Sequence, residues 1–199
     1  MSKNQQIISK YICAPAVQIV NYWMHRYPFK FNIVNPRSTK FGDYRYVPQV
    51  DSHTITINND LKGDAFLFTV LHEIAHQHTQ IMYGRVQPHG KEWKSCYKNL
   101  LLQALSNDAF ENPKLILECL DSIKSSSVYN QDIFKALYSS KDENEVYLEE
   151  LRNQSLFIFN KVMYMKLTQR RSRTLCLNME NNKEYLISNL ASVLEVSEC

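Results

Sequence analysis

An α+β architecture is what this sequence predicts, and three observations carry the prediction. Phe66, Leu67, Val70, Leu71, Ile74, Ala75, Ile81 and Met82 recur at about 3.6 residues per turn, as on a helix that buries one face. The shorter runs Phe29 to Val34 and Thr54 to Asn58 alternate apolar and polar residues, as half-buried strands do. From Val146 to Val196, strand-like runs follow one another between Asn-rich turns. The expected organisation is a first domain of helices and a small antiparallel sheet over residues 1–107, a short helical bridge over 108–145, and a small all-β module over 146–199.

Composition fits a protein with a well-filled core. The chain has 199 residues, 44% of them hydrophobic and 12% aromatic, enough to bury one core and a small second one. Five scattered cysteines (Cys13, Cys96, Cys119, Cys176 and Cys199) form no C-x-x-C pair, which points to buried thiols in a reducing compartment. Polar residues Ser9, Lys10, Gln18 and Asn21 interrupt the N-terminal apolar residues, so no secretory or membrane-spanning segment is expected and a cytoplasmic location follows.

In chain order, Gln5 to Tyr27 reads as a helix with Pro15 in a first turn and Ala16, Ile19, Val20, Trp23 and Met24 facing inward. Tyr27-Pro28 ends it. Three short strands follow, at Phe29 to Val34, Tyr44 to Val47 and Thr54 to Asn58, and Asn58-Asn59-Asp60 supplies turn and cap chemistry before the long helix. A second long helix is expected from about Lys91 to Ser106, on the stripe Trp93, Cys96, Tyr97, Leu100, Leu101, Ala104 and Leu105.

The first long helix carries His72-Glu73-Ile74-Ala75-His76, an H-E-x-x-H pattern. Residues four apart share one helix face, so His72 and His76 can chelate a single Zn2+, while Glu73 can reach a metal-bound water without being a ligand. The alternative is a surface helix whose two histidines happen to be so spaced. A catalytic zinc needs a third protein ligand, and His89 is the candidate, four residues before Trp93 on the extension of the second helix's stripe. Glu92 is the competing third ligand. His78 falls on the apolar arc and is expected to be a core histidine; His25 and His53 are expected to be surface residues.

H-E-I-A-H followed by His89-Gly90-Lys91-Glu92-Trp93-Lys94 resembles the SprT-like metallopeptidases, as does the upstream run Ser38 to Arg45 followed by Thr54 to Asn58. The resemblance covers about residues 30 to 105 and implies a zincin-like catalytic core. It implies a zinc-dependent endopeptidase with one catalytic zinc held by His72, His76 and His89, and with Glu73 as general base and then acid. In zincins an edge strand aligns the extended substrate, and Thr54 to Asn58 is the candidate strand, an ordinary sheet strand being the other reading. Many relatives end in a zinc ribbon of two cysteine pairs. With only Cys176 and Cys199 in that region, no second, structural zinc is expected. Tyr46 and Tyr97 are candidates for assisting the reaction. The alternative function is a nucleic-acid-associated adaptor whose metal site is structural or inactive, against which Glu73 argues.

Charge is unevenly spread. Residues 1–107 hold twelve basic and six acidic residues, whereas Asp108 to Glu150 hold ten acidic and four basic. The acidic stretch is expected to form two short helices and a solvated linker at Lys141 to Glu145. In the tail, Lys166 to Arg173 is a basic run with Tyr164 and Tyr185 nearby. Arg170, Arg171 and Arg173 are therefore candidate contacts for DNA-associated recruitment, against the alternative of a solvated hairpin. Expected partners are a protein or peptide substrate and DNA, with no membrane.

Overall fold

The structure, a computed structural model, describes residues 3–37, 40–124, 131–138 and 145–196. The chain divides into two compact units, Met1–Tyr138 and Ser139–Cys199. The linker expected at Lys141 to Glu145 lies, apart from Glu145, outside the described residues, as do Ser38 and Thr39.

The first unit begins with α1 (Lys3–Ile8) and α2 (Ala14–Arg26), so the segment expected to be helical is broken in two, with Pro15 in the first turn of the second helix as expected. Pro15 is the reason: it has no N–H for Tyr11 and its ring crowds the preceding turn, so the helix must stop and restart with proline in its first turn. β1 (Lys30–Val34), β2 (Gly42–Val47) and β3 (Ser52–Asn58) form a sheet in the order β1-β3-β2. β3 pairs parallel with β1 and antiparallel with β2, so the sheet is mixed and not wholly antiparallel. β3 is thus the central strand, with Ile55 and Ile57 fully buried. The expectation that Thr54 to Asn58 offers a free edge is corrected, because both of its sides are already paired; the edge strand on the antiparallel side is β2.

α3 (Gly63–Tyr83) carries the histidine motif and α4 (Lys91–Leu105) follows. The N-cap of α3 is Lys62 with no side-chain cap, not the expected Asn58 to Asp60. Its first turn is instead tied by the Asp64 carboxylate, which accepts the N–H groups of Glu111 and Asn112 at 2.7 Å. Gly84 ends the helix at φ +68°, a conformation glycine adopts without steric penalty. From Ala65 to Ala75 every residue of α3 is buried, not only the apolar arc, because the sheet, α2, α4 and α6 pack against it. Ile81 and Met82, read as part of that arc, emerge at 40% and 56% exposure where the helix outruns its neighbours. On α4 the buried set is the expected stripe: Trp93, Cys96, Tyr97, Leu100, Leu101 and Ala104.

The acidic segment contributes to this core. α5 (Pro113–Lys124) buries Ile116, Cys119, Leu120 and Ile123, and α6 (Gln131–Tyr138) brings Tyr138 against α3. The Tyr138 hydroxyl lies 2.9 Å from Thr69 Oγ1, and its ring stacks on Phe41 at 4.4 Å. At roughly 1.5–3 kcal/mol for each fully buried large apolar side chain, these helices belong to what stabilises the motif helix.

The second unit is an antiparallel sheet of β4 (Glu145–Tyr147), β5 (Leu156–Phe159), β6 (Val162–Gln169), β7 (Arg173–Asn178), β8 (Glu184–Ser188) and β9 (Ser192–Glu195), in the order β4-β9-β5-β6-β7-β8. Its core is Leu148, Leu151, Phe157, Cys176, Ile187 and Val193. Lys166, read as part of a basic run, is 1% exposed. Its ammonium donates to the carbonyls of Leu148, Glu149 and Leu151 and to Gln169 Oε1, which satisfies the buried charge and removes it from any phosphate-binding surface. Arg170, Arg171 and Arg173 are exposed around the β6–β7 turn, closed by Arg170 N–H donating to the Arg173 carbonyl at 2.8 Å. Among the described residues, no helix is long and apolar enough to cross a membrane.

Candidate metal centre

His72 and His76 project from one face of α3, and the loop after the helix returns His89 to the same point. The Nε2 atoms lie 3.2 Å apart for His72 and His76, 3.1 Å for His76 and His89, and 3.1 Å for His72 and His89. Three neutral imidazoles cannot satisfy one another in such a triangle, since each ring nitrogen is either one donor or one acceptor. Three nitrogen ligands about 2.0–2.1 Å from a tetrahedral ion are separated by about 3.3 Å, close to what is seen, so the donor set fits a metal ion. Burial lowers the pKa of all three, with His76 down to about 4, which favours uncharged rings that each keep one nitrogen lone pair for a metal.

His89 reaches the centre differently from the sequence expectation. It is not on the N-terminal extension of α4, whose N-cap is Gly90; it precedes the helix at φ +56° in a tight turn closed by Gly90 N–H to the Gln87 carbonyl at 3.0 Å. A left-handed non-glycine residue costs on the order of 1 kcal/mol or more, and such strain collects at functional sites. Glu92 is not one of the clustered groups; its carboxylate lies 3.7 Å from Lys91 Nζ.

Trp93 forms the floor. Its ring is 1% exposed and lies 4.6, 5.2 and 4.5 Å from the rings of His72, His76 and His89. Tyr97 packs edge-on against His72 at 5.4 Å and donates its hydroxyl proton to the Phe68 carbonyl at 3.3 Å, so it serves packing. Tyr46 is turned to Asp51 Oδ1 at 3.0 Å.

Glu73 points from α3 toward β2. Its carboxyl is buried and its pKa is pushed up to about 8, mainly by desolvation and next by Asp43, with the Tyr44 backbone hydrogen bond, Arg37 and Lys40 opposing. A dication at the histidines would favour the ionised form.

The sequence reading missed several residues around this centre. Tyr44 on β2 lies parallel to His76, and its hydroxyl is 2.7 Å from His53 Nδ1. His53, expected at the surface, has a side chain only 11% exposed and stacks on Tyr46. The available signal was the period-two placement of Tyr44 and Tyr46 on one strand face, opposite His53 in the next strand. Gly42 was the other signal, a glycine inside a strand run, which commonly marks a close backbone approach. His78 lies half-buried between Trp23 and Tyr27, at 5.2 and 5.3 Å, and His25 is exposed.

Fold and site together define an α+β protein with a three-histidine candidate metal centre built on an H-E-x-x-H helix. Residues 20–109 match the model of the SprT-like family, which the chain resembles over this segment. A stretch of 49 residues, 24% of the chain, is 45% identical to the protein named Protein SprT of Vibrio parahaemolyticus serotype O3:K6 and spans 30% of that relative's length. No solved structure matches.

Proposed function

We propose that this chain is a zinc-dependent endopeptidase. The observation that carries the reading is the convergence of three imidazole Nε2 atoms at 3.1–3.2 Å, two of them from the helix that also carries the buried Glu73. The family match supports it, and a zincin-type core fits an active-site helix lying beside an edge strand. His72, His76 and His89 would hold the ion, which when bound supplies a Lewis acid and lowers the pKa of water to about 7. Glu73 takes the proton of the attacking water and returns it to the leaving amine. The edge of β2 offers main-chain groups to an extended peptide, the role first expected of Thr54 to Asn58. Trp93 keeps the three rings in place and excludes water from beneath them.

The substrate class proposed is protein, with DNA-associated proteins among the targets and Arg170, Arg171 and Arg173 as the recruiting cations; a cytoplasmic location is part of the same proposal. The test is cleavage of an unstructured protein by the purified full chain. Activity should vanish with a chelator and return on adding Zn2+. Persistence of cleavage after complete metal removal would contradict the metal's catalytic role, and no cleavage with stoichiometric zinc would leave the metal site structural, as in an adaptor.

A further inference from the structure

Gly42 is the first residue of β2, and its backbone lies against Glu73. A Cβ built there would stand 2.6 Å from Glu73 Oε1, 2.8 Å from Glu73 Cγ and 2.8 Å from Thr69 Cγ2. The requirement is one of space: Gly42 does not occupy the left-handed region, and its lack of a side chain is what lets the strand approach. Two residues on, the Tyr44 main-chain N–H faces the same carboxylate and helps hold its pKa down. The opposite wall is immobilised, because the Thr69 hydroxyl is held by the Ala65 carbonyl at 2.8 Å and by Tyr138 at 2.9 Å. The methyl of Thr69 therefore cannot swing aside to admit a larger residue at position 42.

We infer that Gly42, the Tyr44 amide and the Thr69 methyl form a seat that fixes the Glu73 carboxylate, which makes Gly42 a positioning residue of the proposed peptidase reaction. The inference rests on that reading for its catalytic meaning. The seat itself is a property of the chain. It gives one strand two tasks, since β2 presents the edge for an extended peptide and also holds the base that acts on it. A misplacement of about 1 Å in a reacting group can cost about 100-fold in rate, so a methyl at this point is enough to matter.

The test has two arms, both on the full chain. In the first, Gly42→Ala should lower kcat about 100-fold, leave KM within about threefold and leave bound zinc per chain unchanged. In a Thr69→Ser, Glu73→Asp background, which removes both the methyl and the longer carboxylate that crowd position 42 while keeping the Thr69 hydroxyl's bonds, Gly42→Ala should cost less than about threefold. Equal losses in both backgrounds, or zinc lost with activity, would overturn the inference by showing a general structural defect. The second arm measures hydrogen exchange at the Tyr44 amide, which needs no activity and decides the matter if Gly42→Ala does not fold. Glu73→Ala should speed exchange at Tyr44 by about tenfold or more, while Glu73→Gln, which keeps an acceptor oxygen, should preserve most of the protection. Unchanged Tyr44 exchange in Glu73→Ala would remove the seat. A wild type without peptidase activity but with this exchange pattern would instead remove the function and keep the seat.

Discussion

The Trp93 indole stands 4.5 Å from the His89 ring at an interplanar angle of 78°, so the residue that ends the binding loop's reach is braced by the first turn of α4. Trp93→Ala should destabilise the fold by about 3–5 kcal/mol. It should also weaken metal binding about 10- to 100-fold, because the ligands lose their support. Trp93→Phe should recover most of both. Chemical denaturation and chelator competition on the same samples check this, and full metal affinity in Trp93→Ala would show that the triad organises itself.

His89→Ala should strip the metal from the folded protein, whereas Glu92→Ala should leave it, since only the histidine brings a donor atom into the cluster. Metal per chain by mass spectrometry separates them. The reverse result would make Glu92 the third ligand.

The metal-free protein carries two opposing pH dependences. His76 has a folded pKa of about 4 against 6.5 for the free group, so the unfolded chain binds the extra proton between those values and stability falls as pH drops from 6.5 to 4. Glu73 is the reverse: its folded pKa is about 8 against 4.5, the folded state binds the proton more tightly, and stability falls as pH rises from 4.5 to 8. His76→Gln should therefore gain on the wild type toward low pH and Glu73→Gln toward high pH. Urea unfolding with chelator present reads both differences; pH-independent differences would contradict the assignments.

If Arg170, Arg171 and Arg173 recruit DNA, binding should be dominated by phosphate contacts and weaken steeply with salt. Each lost arginine should reduce the slope of log K against log salt by about 0.7 to 0.9. The triple Arg→Ala variant in a salt series tests this, and identical behaviour to wild type ends the recruitment proposal without touching the zinc chemistry.

The helix of His72 and His76 was legible because burial imposes a period, and the α4 stripe was legible for the same reason. His89 was found by its spacing from Trp93, but its left-handed turn was not, since local sequence does not say where a loop must aim. The strand order could not be read: β1 and β3 are parallel partners separated by β2 in the chain, and alternation marks a strand without naming its neighbours. For the same reason Gly42 could mark a close approach without naming Glu73 as the residue that lies against it. The α5 stripe of Ile116, Cys119, Leu120 and Ile123 was legible by its period, whereas its packing into the core of the first unit was not, because a period does not name the neighbour. In the second unit, strand-like runs between Asn-rich turns marked an all-β module, while three-residue β4 was too short to show a period.

The most direct measurement is made on Glu73→Gln, with zinc content and cleavage of an unstructured protein read from one preparation. Wild-type zinc with cleavage reduced at least about 1,000-fold is the expected result, because the ligands are intact and the proton acceptor is gone. Loss of zinc in this variant would make Glu73 a ligand, and undiminished cleavage would contradict its role as the base.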